Sequence, residues 1–222
     1  MSGGGRYKTS HLVEDQHELG SRGRVLKNLL GIKNSSEIDR TEAIALKQAE
    51  DALFQMQAYG SRHQFSAKDV CQIHEIWLGN IYPWAGRYRQ VQMNKGTFRF
   101  ASAAQVPQLM EQFERDVLRQ HTPCTFAGDR VIEALAEVHA ELMLIHPFRE
   151  GNGRVGRFLA TLMAMQAGLP PLIFTPIEGR GTAPYIRAIH ASVGKEYRPM
   201  QDVFRQIVRK SLAKRRATGS GA

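Results

Sequence analysis

Apolar residues recur every three or four positions along most of this chain, which is the spacing that places side chains on one face of an α-helix. Such stripes predict helices over 39–56, 66–81, 102–119, 129–146, 153–167, 182–195 and 199–213, and a shorter helix over 25–30. Ser66 is expected to cap the second of these helices with its side-chain oxygen. Residues 86–100 lack the helical period, and Asn94, Lys95 and Gly96 within them are typical of a hairpin turn.

These elements predict an all-α bundle with one small β-hairpin, in a single domain that covers residues 1–222. Its core is expected over about 22–205, a length that can bury a substantial apolar interior. The Gly-rich stretch 1–21 and the basic tail 210–222 are expected to be loosely ordered or disordered. The pattern contains no internal repeat and no second domain boundary.

The turn between two of the predicted helices concentrates polar residues and glycines. It runs from His146 to Arg157 and reads His-Pro-Phe-Arg-Glu-Gly-Asn-Gly-Arg-Val-Gly-Arg. Pro147 disfavours helical backbone at His146, so the first helix is expected to end there. A histidine can take a proton from a hydroxyl, a carboxylate can bind Mg²⁺, and glycines at a helix N-terminus let N–H groups approach a phosphate. Two arginines three residues apart share a helix face and can clamp phosphate oxygens.

This run resembles the signature of the Fic-domain family (Fic/Doc superfamily), H-x-F-x-[D/E]-G-N-G-R-x-x-R, and every fixed position is filled. Upstream, residues 81–89 and 93–100 resemble the family's Trp-Ala-Gly segment and its β-hairpin flap. The resemblance extends over roughly residues 22–205. It implies a Fic-type helical bundle with the flap next to the active-site turn.

The resemblance also implies a protein adenylyltransferase, a nucleotidyltransferase that moves AMP from ATP to a Ser, Thr or Tyr hydroxyl of a target protein. ATP is then the substrate and Mg²⁺ the cofactor. The implied general base is His146, and the implied Mg²⁺ ligand is Glu150. The implied nucleotide- and phosphate-binding residues are Gly151, Asn152, Gly153, Arg154 and Arg157, with Tyr185 near the adenine.

The implied target-docking flap would pair with an extended target segment as an added strand. It consists of Met93, Asn94, Lys95, Gly96, Thr97, Phe98 and Arg99. For some residues a packing role competes with a functional one. Tyr185 is open between the two roles, whereas His139, Trp77 and Trp84 are expected to be structural. Phe148 is implied to anchor the turn in the core.

The net charge of +9 raises the question of a nucleic-acid partner. Five basic residues lie within the last fourteen positions, and no basic groove with interleaved aromatic residues of the kind that binds single strands is evident. We therefore expect no nucleic-acid partner. The sequence contains no apolar run of membrane-spanning length, no apolar signal-peptide region and only two cysteines, which fit no metal spacing. These features predict a cytoplasmic protein without a membrane span, and leave open its delivery into another cell.

Three functional hypotheses stay open. The first is AMP transfer, and the second is another Fic chemistry, such as phosphoryl transfer, transfer of a different nucleotide or removal of AMP. Phosphate-transferring relatives place Lys at the second glycine of the motif, so Gly153 favours AMP transfer. The third is a non-catalytic module that binds phosphate at the turn. It is the weakest, because binding alone would not need His146 and Glu150 together.

Many Fic proteins are inhibited by a segment [S/T]-x-x-x-E-[G/N], whose glutamate pairs with the second motif arginine, here Arg157. The segment that ends in Glu14-Asp15 comes close but fails at its last position, as does the one that ends in Glu196-Tyr197. The sequence contains no intact segment of this kind. We therefore expect inhibition by a separate, antitoxin-like partner protein, with an enzyme that is active by default as the alternative.

Overall fold

Helices make up most of the protein in a computed structural model, which describes residue 9 and residues 11–55, 59–96 and 98–219. The α-helices are Ser35–Gln55 (α1), Ala67–Leu78 (α2), Val106–Phe113 (α3), Arg119–His121 (α4), Asp129–Ile145 (α5), Asn152–Gln166 (α6), Thr182–Ala191 (α7) and Arg198–Gly219 (α8). A π-helical turn, Glu114–Leu118, joins α3 to α4. Short 3₁₀ turns lie at Val13–Asp15, Ala103–Gln105, Thr175–Ile177, Gly179–Gly181 and Ser192–Gly194. The strands are Asn94–Lys95 (β1) and Phe98–Arg99 (β2), so the predicted all-α bundle with a small β-hairpin is confirmed.

Helix α5 lies in the interior of the bundle, where it packs against α3, α6, α7 and α8. Its buried side chains extend well beyond the predicted apolar stripe, because Ala134, Ala136 and Ala140 are also buried. Such small side chains let neighbouring helices approach closely, and a helix that is buried on most sides belongs in a core. The loop that follows α5 leads directly into α6, which is packed against it. The turn with the candidate chemistry is therefore held between two core helices.

Local sequence signals account for the ends of the helices around this turn. Ser66 caps α2, as predicted, because its Oγ accepts from the Asp69 N–H at 3.2 Å and the Asp69 carboxylate accepts from the Ser66 N–H at 2.8 Å. Helix α5 ends at Ile145, as Pro147 predicted. His146 does not adopt the extended backbone that usually precedes proline. Its φ of 54° and ψ of 60° lie in the left-handed region, which histidine tolerates better than most residues.

The hairpin is shorter than the segment in which it was predicted. Strand β1 pairs antiparallel with β2, with Asn94 opposite Arg99 and Lys95 opposite Phe98. Asn94 and Lys95 are therefore strand residues, and the predicted turn over 94–96 is wrong. Gly96, which follows β1, has a φ of 60° that suits a tight hairpin turn.

Pairing continues one step beyond the strands, because the Phe100 N–H donates to the Met93 carbonyl at 3.2 Å. Thr97, which was predicted to belong to the flap, lies outside the described residues. The word flap below refers to residues 93–99.

A single buried arginine ties the hairpin to the end of α5. Arg89 is only 1% exposed, and its guanidinium donates to four backbone carbonyls. Two of them are at the end of α5, His146 at 2.7 Å from Nε and Ile145 at 3.3 Å from Nη2. The other two flank the hairpin, Val91 at 2.8 Å from Nη1 and Ala101 at 2.7 Å from Nη2. The guanidinium thereby fixes the hairpin against the residue that begins the turn.

The expectation of loose order over 1–21 is wrong for residues 11–21. Val13–Asp15 form a 3₁₀ turn, and Glu14 is buried. The Glu14 carboxylate accepts the Gln90 N–H at 2.6 Å, and its carbonyl accepts from Arg149 Nε at 3.0 Å. These bonds to distant residues hold the segment in place, and no local pattern in the sequence predicted them. Residues 1–8 and 10 lie outside the described residues.

The expectation of loose order over 210–222 is wrong for residues 210–219, which continue α8. Ser211 is buried there, donates to the Ile207 carbonyl at 2.8 Å and accepts the Ile173 N–H at 2.9 Å. These bonds hold the first residues of the predicted tail, which its basic composition did not predict, whereas residues 213–217 are exposed. Residues 220–222 lie outside the described residues.

The short helix predicted over 25–30 is absent from the structure, where Leu26 instead pairs with His17 in an isolated β-bridge. The Asn28 side chain explains the difference. Its Oδ1 accepts the N–H groups of Leu30 and Ile32, and its Nδ2 donates to the carbonyls of Leu26 and Ile32. An asparagine that satisfies the backbone in this way competes with helix formation.

Both cysteines, Cys71 and Cys124, are free. None of the helices in the part of the chain that the structure describes combines the length and the apolar character of a membrane span.

Replacement of Arg89 tests how much its bonds to four backbone carbonyls stabilise the fold. Arg89→Met is expected to lower the free energy of unfolding by at least about 3 kcal/mol, because four buried or part-buried carbonyls lose their donor. The nearby Arg87 is exposed, and Arg87→Met is expected to stay within about 0.5 kcal/mol of the wild type. Urea unfolding followed by circular dichroism measures both values, and equal values for the two variants would contradict the role assigned to Arg89.

Candidate active site

The turn, the flap and helix α7 enclose a cavity of about 620 Å³. The turn contributes His146, Glu150, Gly151, Asn152, Gly153, Arg154 and Arg157 to its wall. The flap contributes Met93, Asn94, Lys95, Gly96 and Phe98, and α7 contributes Tyr185. The structure therefore brings together most of the residues that the sequence singled out. Arg99 is exposed and does not line the cavity.

The His146 ring is held at one nitrogen and covered on one face. Its Nδ1 donates to the Met143 carbonyl at 3.3 Å, so Nε2 is the nitrogen with a free lone pair. The Phe100 ring stacks on the imidazole at 3.8 Å between centroids and 16° between planes. Burial lowers the pKa of His146 to about 4, the bond to Met143 opposes this change, and the positive charges of Arg89 and Lys95 add to it. The ring is therefore neutral at pH 7 and can accept a proton.

Two buried side chains give the loop over 147–151 its shape. Phe148 is fully buried, as the resemblance implied. Asn152, which is 3% exposed, accepts the Phe148 N–H at 2.8 Å and donates to the Phe148 carbonyl at 2.7 Å. The Asn152 side chain is thus committed to the loop itself. Any contribution that it makes to an anion site would come from its backbone N–H at the start of α6.

The start of α6 meets the geometric requirements of an anion site. Gly151 precedes the helix with a φ of 84°, a left-handed conformation that glycine adopts without strain. The first N–H groups of a helix lack partners within it and point outward, at the positive end of the helix dipole. Arg149, Arg154, Arg157 and Lys95 also line the cavity, so positive charge predominates in its wall. An anion such as a triphosphate suits this field.

Arg154 is held by contacts that the sequence analysis missed. Its Nη1 lies 3.0 Å from Oε2 of Glu42 on α1, and its guanidinium lies 4.5 Å from the Trp77 ring centre. Glu42 is buried, and its Oε1 also accepts from the Tyr82 hydroxyl at 2.8 Å. Glu42 and Arg154 are 112 residues apart, so no local spacing could have paired them. The pair fixes where one motif arginine lies in the cavity wall.

Arg157 is held more loosely. Its Nε donates to the Gly153 carbonyl at 3.2 Å, and its Nη1 lies 4.0 Å from Oε1 of Glu178, an exposed side chain in the turn before α7. The guanidinium also faces the Phe174 ring at 6.0 Å. The segment that ends in Glu14-Asp15 does not reach this arginine, because the Glu14 carboxylate is bonded to the Gln90 N–H.

The sequence left Tyr185 open between a packing role and a role at the nucleotide site. Its position in the structure is compatible with both roles. It lines the cavity, and its hydroxyl lies 2.8 Å from Nε2 of the buried His139. Burial lowers the pKa of His139 to about 4 and raises the pKa of Tyr185 to about 12, so the pair is neutral at pH 7. In the described part of the chain, Nδ1 of His139 has no hydrogen-bond partner. The structural role expected for His139 thus includes positioning Tyr185.

His74 on α2 is a further residue that the sequence analysis missed. Its Nδ1 accepts the Gly86 N–H at 2.8 Å, and its Nε2 donates to the Glu150 carbonyl at 3.1 Å. Its ring stacks on Phe148 at 4.0 Å, with only 4° between the planes. Burial lowers the pKa of His74 to about 4, which preserves the single ring proton that this pair of bonds requires. Nothing in the helical pattern around His74 pointed to the turn 76 residues away.

Glu150 supplies a carboxylate to the cavity. Its Oε1 accepts the Gly151 N–H at 3.2 Å. Over the described residues, no group of three or more His, Cys, Asp or Glu side chains is arranged to hold a metal ion. Mg²⁺ does not require such a group, since it commonly binds through one carboxylate together with water and substrate phosphates. Glu150 beside an anion site fits that arrangement.

The matches to known proteins agree with this geometry. Residues 64–164, which include the whole turn, match the model of the Fic/DOC family. The chain contains a Fic/DOC domain. The protein adenylyltransferase fic-1 of Caenorhabditis briggsae is 31% identical over 194 residues, which cover 87% of this chain and 37% of that protein. The protein adenylyltransferase fic-1 of Caenorhabditis elegans is 32% identical over 194 residues, which again cover 87% of this chain and 37% of that protein. This Fic chain thus spans 37% of the length of these two relatives.

Solved Fic domains share the fold. The N-terminal Fic domain of an effector protein from Bartonella sp. AR 15-3 matches with a TM-score of 0.73 at 20% identity, over 91% of this chain and 95% of that one. BepC of Bartonella tribocorum, solved with bound AMPPNP, matches with a TM-score of 0.65 at 22% identity, over 82% of this chain and 91% of that one. At these identities the likeness establishes the Fic fold.

The two outer glycines of the Gly-Asn-Gly turn offer a matched test of the geometry. A Cβ at Gly151 would lie 2.5 Å from Cζ3 of the buried Trp77, in a backbone conformation that disfavours alanine. Gly151→Ala is therefore expected to cost about 2–4 kcal/mol of stability. At Gly153 the nearest atom would be Nη2 of Arg157 at 4.0 Å, so Gly153→Ala is expected to be neutral or to stabilise the helix by up to about 1 kcal/mol. Urea unfolding compares the two, and a Gly151→Ala variant as stable as Gly153→Ala would contradict the described turn.

Proposed function

We propose that this Fic protein is a protein adenylyltransferase, which moves AMP from ATP to a Ser, Thr or Tyr hydroxyl of a target protein. The observation that carries the proposal is the presence of His146, Glu150 and Arg157 around one cavity beside the flap. The names of the relatives, protein adenylyltransferases over 87% of this chain, support the activity. The AMPPNP bound to BepC supports ATP as the substrate.

The nucleotide is bound by its phosphates at the start of α6. The turn of Gly151, Asn152 and Gly153 binds the phosphates, because the backbone N–H groups of Asn152 and Gly153 donate to phosphate oxygens. Arg157 neutralises the rest of the phosphate chain. Arg154 adds positive charge from a position fixed by Glu42, so it contributes to the field with little loss of side-chain freedom. Tyr185, held by His139, forms the wall on the side of α7 and contacts the adenine.

His146 acts as the general base. Its Nε2 takes the proton of the target hydroxyl, the hydroxyl oxygen bonds to the α-phosphorus, and the bond from that phosphorus to the bridging oxygen breaks, which releases pyrophosphate. Nδ1 keeps its proton because it donates to the Met143 carbonyl. A base with a pKa near 4 is unprotonated throughout the neutral range, so it needs no prior loss of a proton.

Glu150 would hold Mg²⁺ together with the phosphates of ATP. A bound Mg²⁺ would neutralise negative charge on the phosphate chain. The bond from the Gly151 N–H to Glu150 keeps the carboxylate next to the anion site. Glu150 is thus both a ligand candidate and part of the turn.

The flap docks the target. Its strands form a two-stranded sheet, so an extended segment of the target can add as a further strand and present its hydroxyl to the cavity. Main-chain hydrogen bonds of this kind require little of the target's sequence. Met93, Asn94 and Phe98 line the cavity as well as belonging to the flap, which brings the docked segment close to His146.

A separate protein is proposed to inhibit the enzyme by pairing an acidic side chain with Arg157. Glu14 does not pair with Arg157, since its carboxylate accepts a hydrogen bond from the Gln90 N–H. Glu178 lies 4.0 Å from Arg157 but is exposed, so water screens this contact and a competing phosphate can displace it.

Incubation of the purified chain with labelled ATP and a lysate tests the function. Label from the α-phosphate is expected to appear on a target protein band, whereas label from the γ-phosphate is not, because pyrophosphate leaves. His146→Asn is expected to lower the transfer by about 10²–10⁴. Asparagine is the suitable replacement because it also tolerates the left-handed backbone at this position.

The same assay separates the alternatives. Label from γ-phosphate alone would indicate a kinase, and transfer by His146→Asn at the wild-type rate would exclude His146 as the base. The unmodified chain is expected to be active when purified alone. A silent wild type together with an active Glu178→Ala variant would contradict inhibition by a separate protein.

Hydrogen exchange tests the docking role of the flap. Addition of a target peptide to the ATP-bound protein is expected to slow amide exchange over 93–99, because an added strand takes up backbone N–H groups of the flap. ATP alone is expected to protect 151–154 instead. Target-dependent protection elsewhere, with the flap unchanged, would contradict strand addition as the docking mode.

A further inference from the structure

Four aromatic rings form a continuous series from the end of α5 to α7, which we call the ring series. His146 stacks on Phe100 at 3.8 Å between centroids, Phe100 meets Phe98 edge to face at 5.3 Å, and Phe98 stacks on His190 at 4.7 Å with 10° between planes. The first ring belongs to the turn, the two phenylalanines to the hairpin and the last to α7. The series passes along the cavity wall, which all four residues line.

The contact between Phe100 and His146 restrains the plane of the imidazole, which the hydrogen bond to His146 does not determine. The bond from Nδ1 of His146 to the Met143 carbonyl is long, at 3.3 Å, so it restrains rotation of the imidazole about the Cβ–Cγ bond only loosely. A ring stacked 3.8 Å away with 16° between planes blocks that rotation. The stack therefore sets the plane in which Nε2 presents its lone pair.

Phe100 is itself held at its backbone. Its N–H donates to the Met93 carbonyl at 3.2 Å, and the carbonyl of the next residue, Ala101, accepts from Arg89 at 2.7 Å. The same guanidinium donates to the His146 carbonyl. The two stacked residues are thus fixed to one rigid group, so their relative position does not depend on the ring contact alone.

We propose that Phe100 is a positioning residue, which holds the plane of the His146 imidazole and couples the orientation of this base to the conformation of the hairpin. The proposal rests on the function proposed above, because it gives His146 the role of base. It goes beyond that function by assigning a part in the chemistry to a hairpin residue that follows the flap. A target strand that docks on the flap then acts on the same element that orients the base.

The electrostatic surroundings give the proposal a second readout. Burial is the main cause of the low pKa of His146, and Phe100 covers one face of the ring. The charged groups that face the imidazole are Arg89 from the segment before the hairpin and Lys95 from β1, which both lower its pKa, while the Met143 carbonyl of α5 raises it. Loss of the Phe100 ring admits water, so the pKa is expected to rise from about 4 toward the ordinary value of 6.5.

NMR of the histidine ring protons tests the proposal without any substrate. The His146 signals are assigned by their absence in His146→Asn. In the wild type they are expected to show a ring-current shift and to titrate near pH 4. In Phe100→Ala the ring-current shift is expected to vanish and the titration midpoint to rise by at least about one pH unit. Phe98→Ala, which removes the next ring of the series, is the control and is expected to leave the stack on His146 intact.

Kinetics complete the test. Phe100→Ala is expected to lower kcat for AMP transfer about 10- to 100-fold at unchanged affinity for ATP, because orientation is lost while the phosphate site is intact. Since the unprotonated ring is the active form, the acid limb of the pH–rate profile is expected to move to higher pH. Phe100→Tyr keeps the ring face and is expected to restore both values. Should Phe100→Ala fail to fold, Phe100→Leu retains apolar volume without a ring and takes its place.

His146 signals and a pH profile that are the same in the wild type and in the ring-less variants would overturn the proposal. If the NMR changes occur as expected but the wild type transfers no AMP, the proposed function fails and the positioning of His146 by Phe100 stands.

Discussion

The buried guanidinium of Arg89 is the contact on which the arrangement of the site depends. Removing a positive charge from water is unfavourable, and burial indeed lowers the pKa of this group. Four carbonyls compensate by surrounding it with negative dipoles, and two of these belong to the end of α5, where the helix dipole also favours a cation. Because the other two carbonyls flank the hairpin, one group sets the distance between the flap and His146. A purely apolar contact would not fix this distance as sharply.

Around the Arg89 contact, two neutral histidines form hydrogen bonds that depend on their being uncharged. His74 links the Gly86 turn to the Glu150 carbonyl, and His139 holds Tyr185. His74 must keep one nitrogen protonated and the other free to act as donor and acceptor at once, and His139 must stay uncharged beside the Tyr185 hydroxyl. Burial ensures this by lowering the pKa of each to about 4. The same apolar surroundings that keep these rings neutral therefore also keep the turn and the cavity wall in a single arrangement.

The sequence predicted those features that depend on local pattern. The helices, the stop at Ile145 and the turn with its two arginines follow from periodicity, from proline and from glycine spacing. In the structure this turn lines a cavity. Contacts between distant residues were not predictable in this way. Glu42 is one of many acidic residues on helices, and only the folded chain reveals that it pairs with Arg154.

The two mistaken expectations about order have the same origin. Composition suggested that both termini are loose, whereas Glu14 and Ser211 are each held by partners far along the chain. The short helix expected over 25–30 failed for a local reason, since one asparagine side chain bonds to the backbone that a helix would have used. Side-chain competition of this kind leaves no trace in hydrophobic periodicity.

The left-handed backbone at His146 also limits how the site can change over evolutionary time. Only a few residue types adopt a φ of 54° at low cost, chiefly glycine, asparagine and aspartate besides histidine itself. A lineage that no longer needed the proposed reaction would drift toward this small set, while valine, isoleucine and threonine would be removed by selection for folding alone. The residue found at this position in descendants would then show whether the proposed reaction had been lost while the fold was kept.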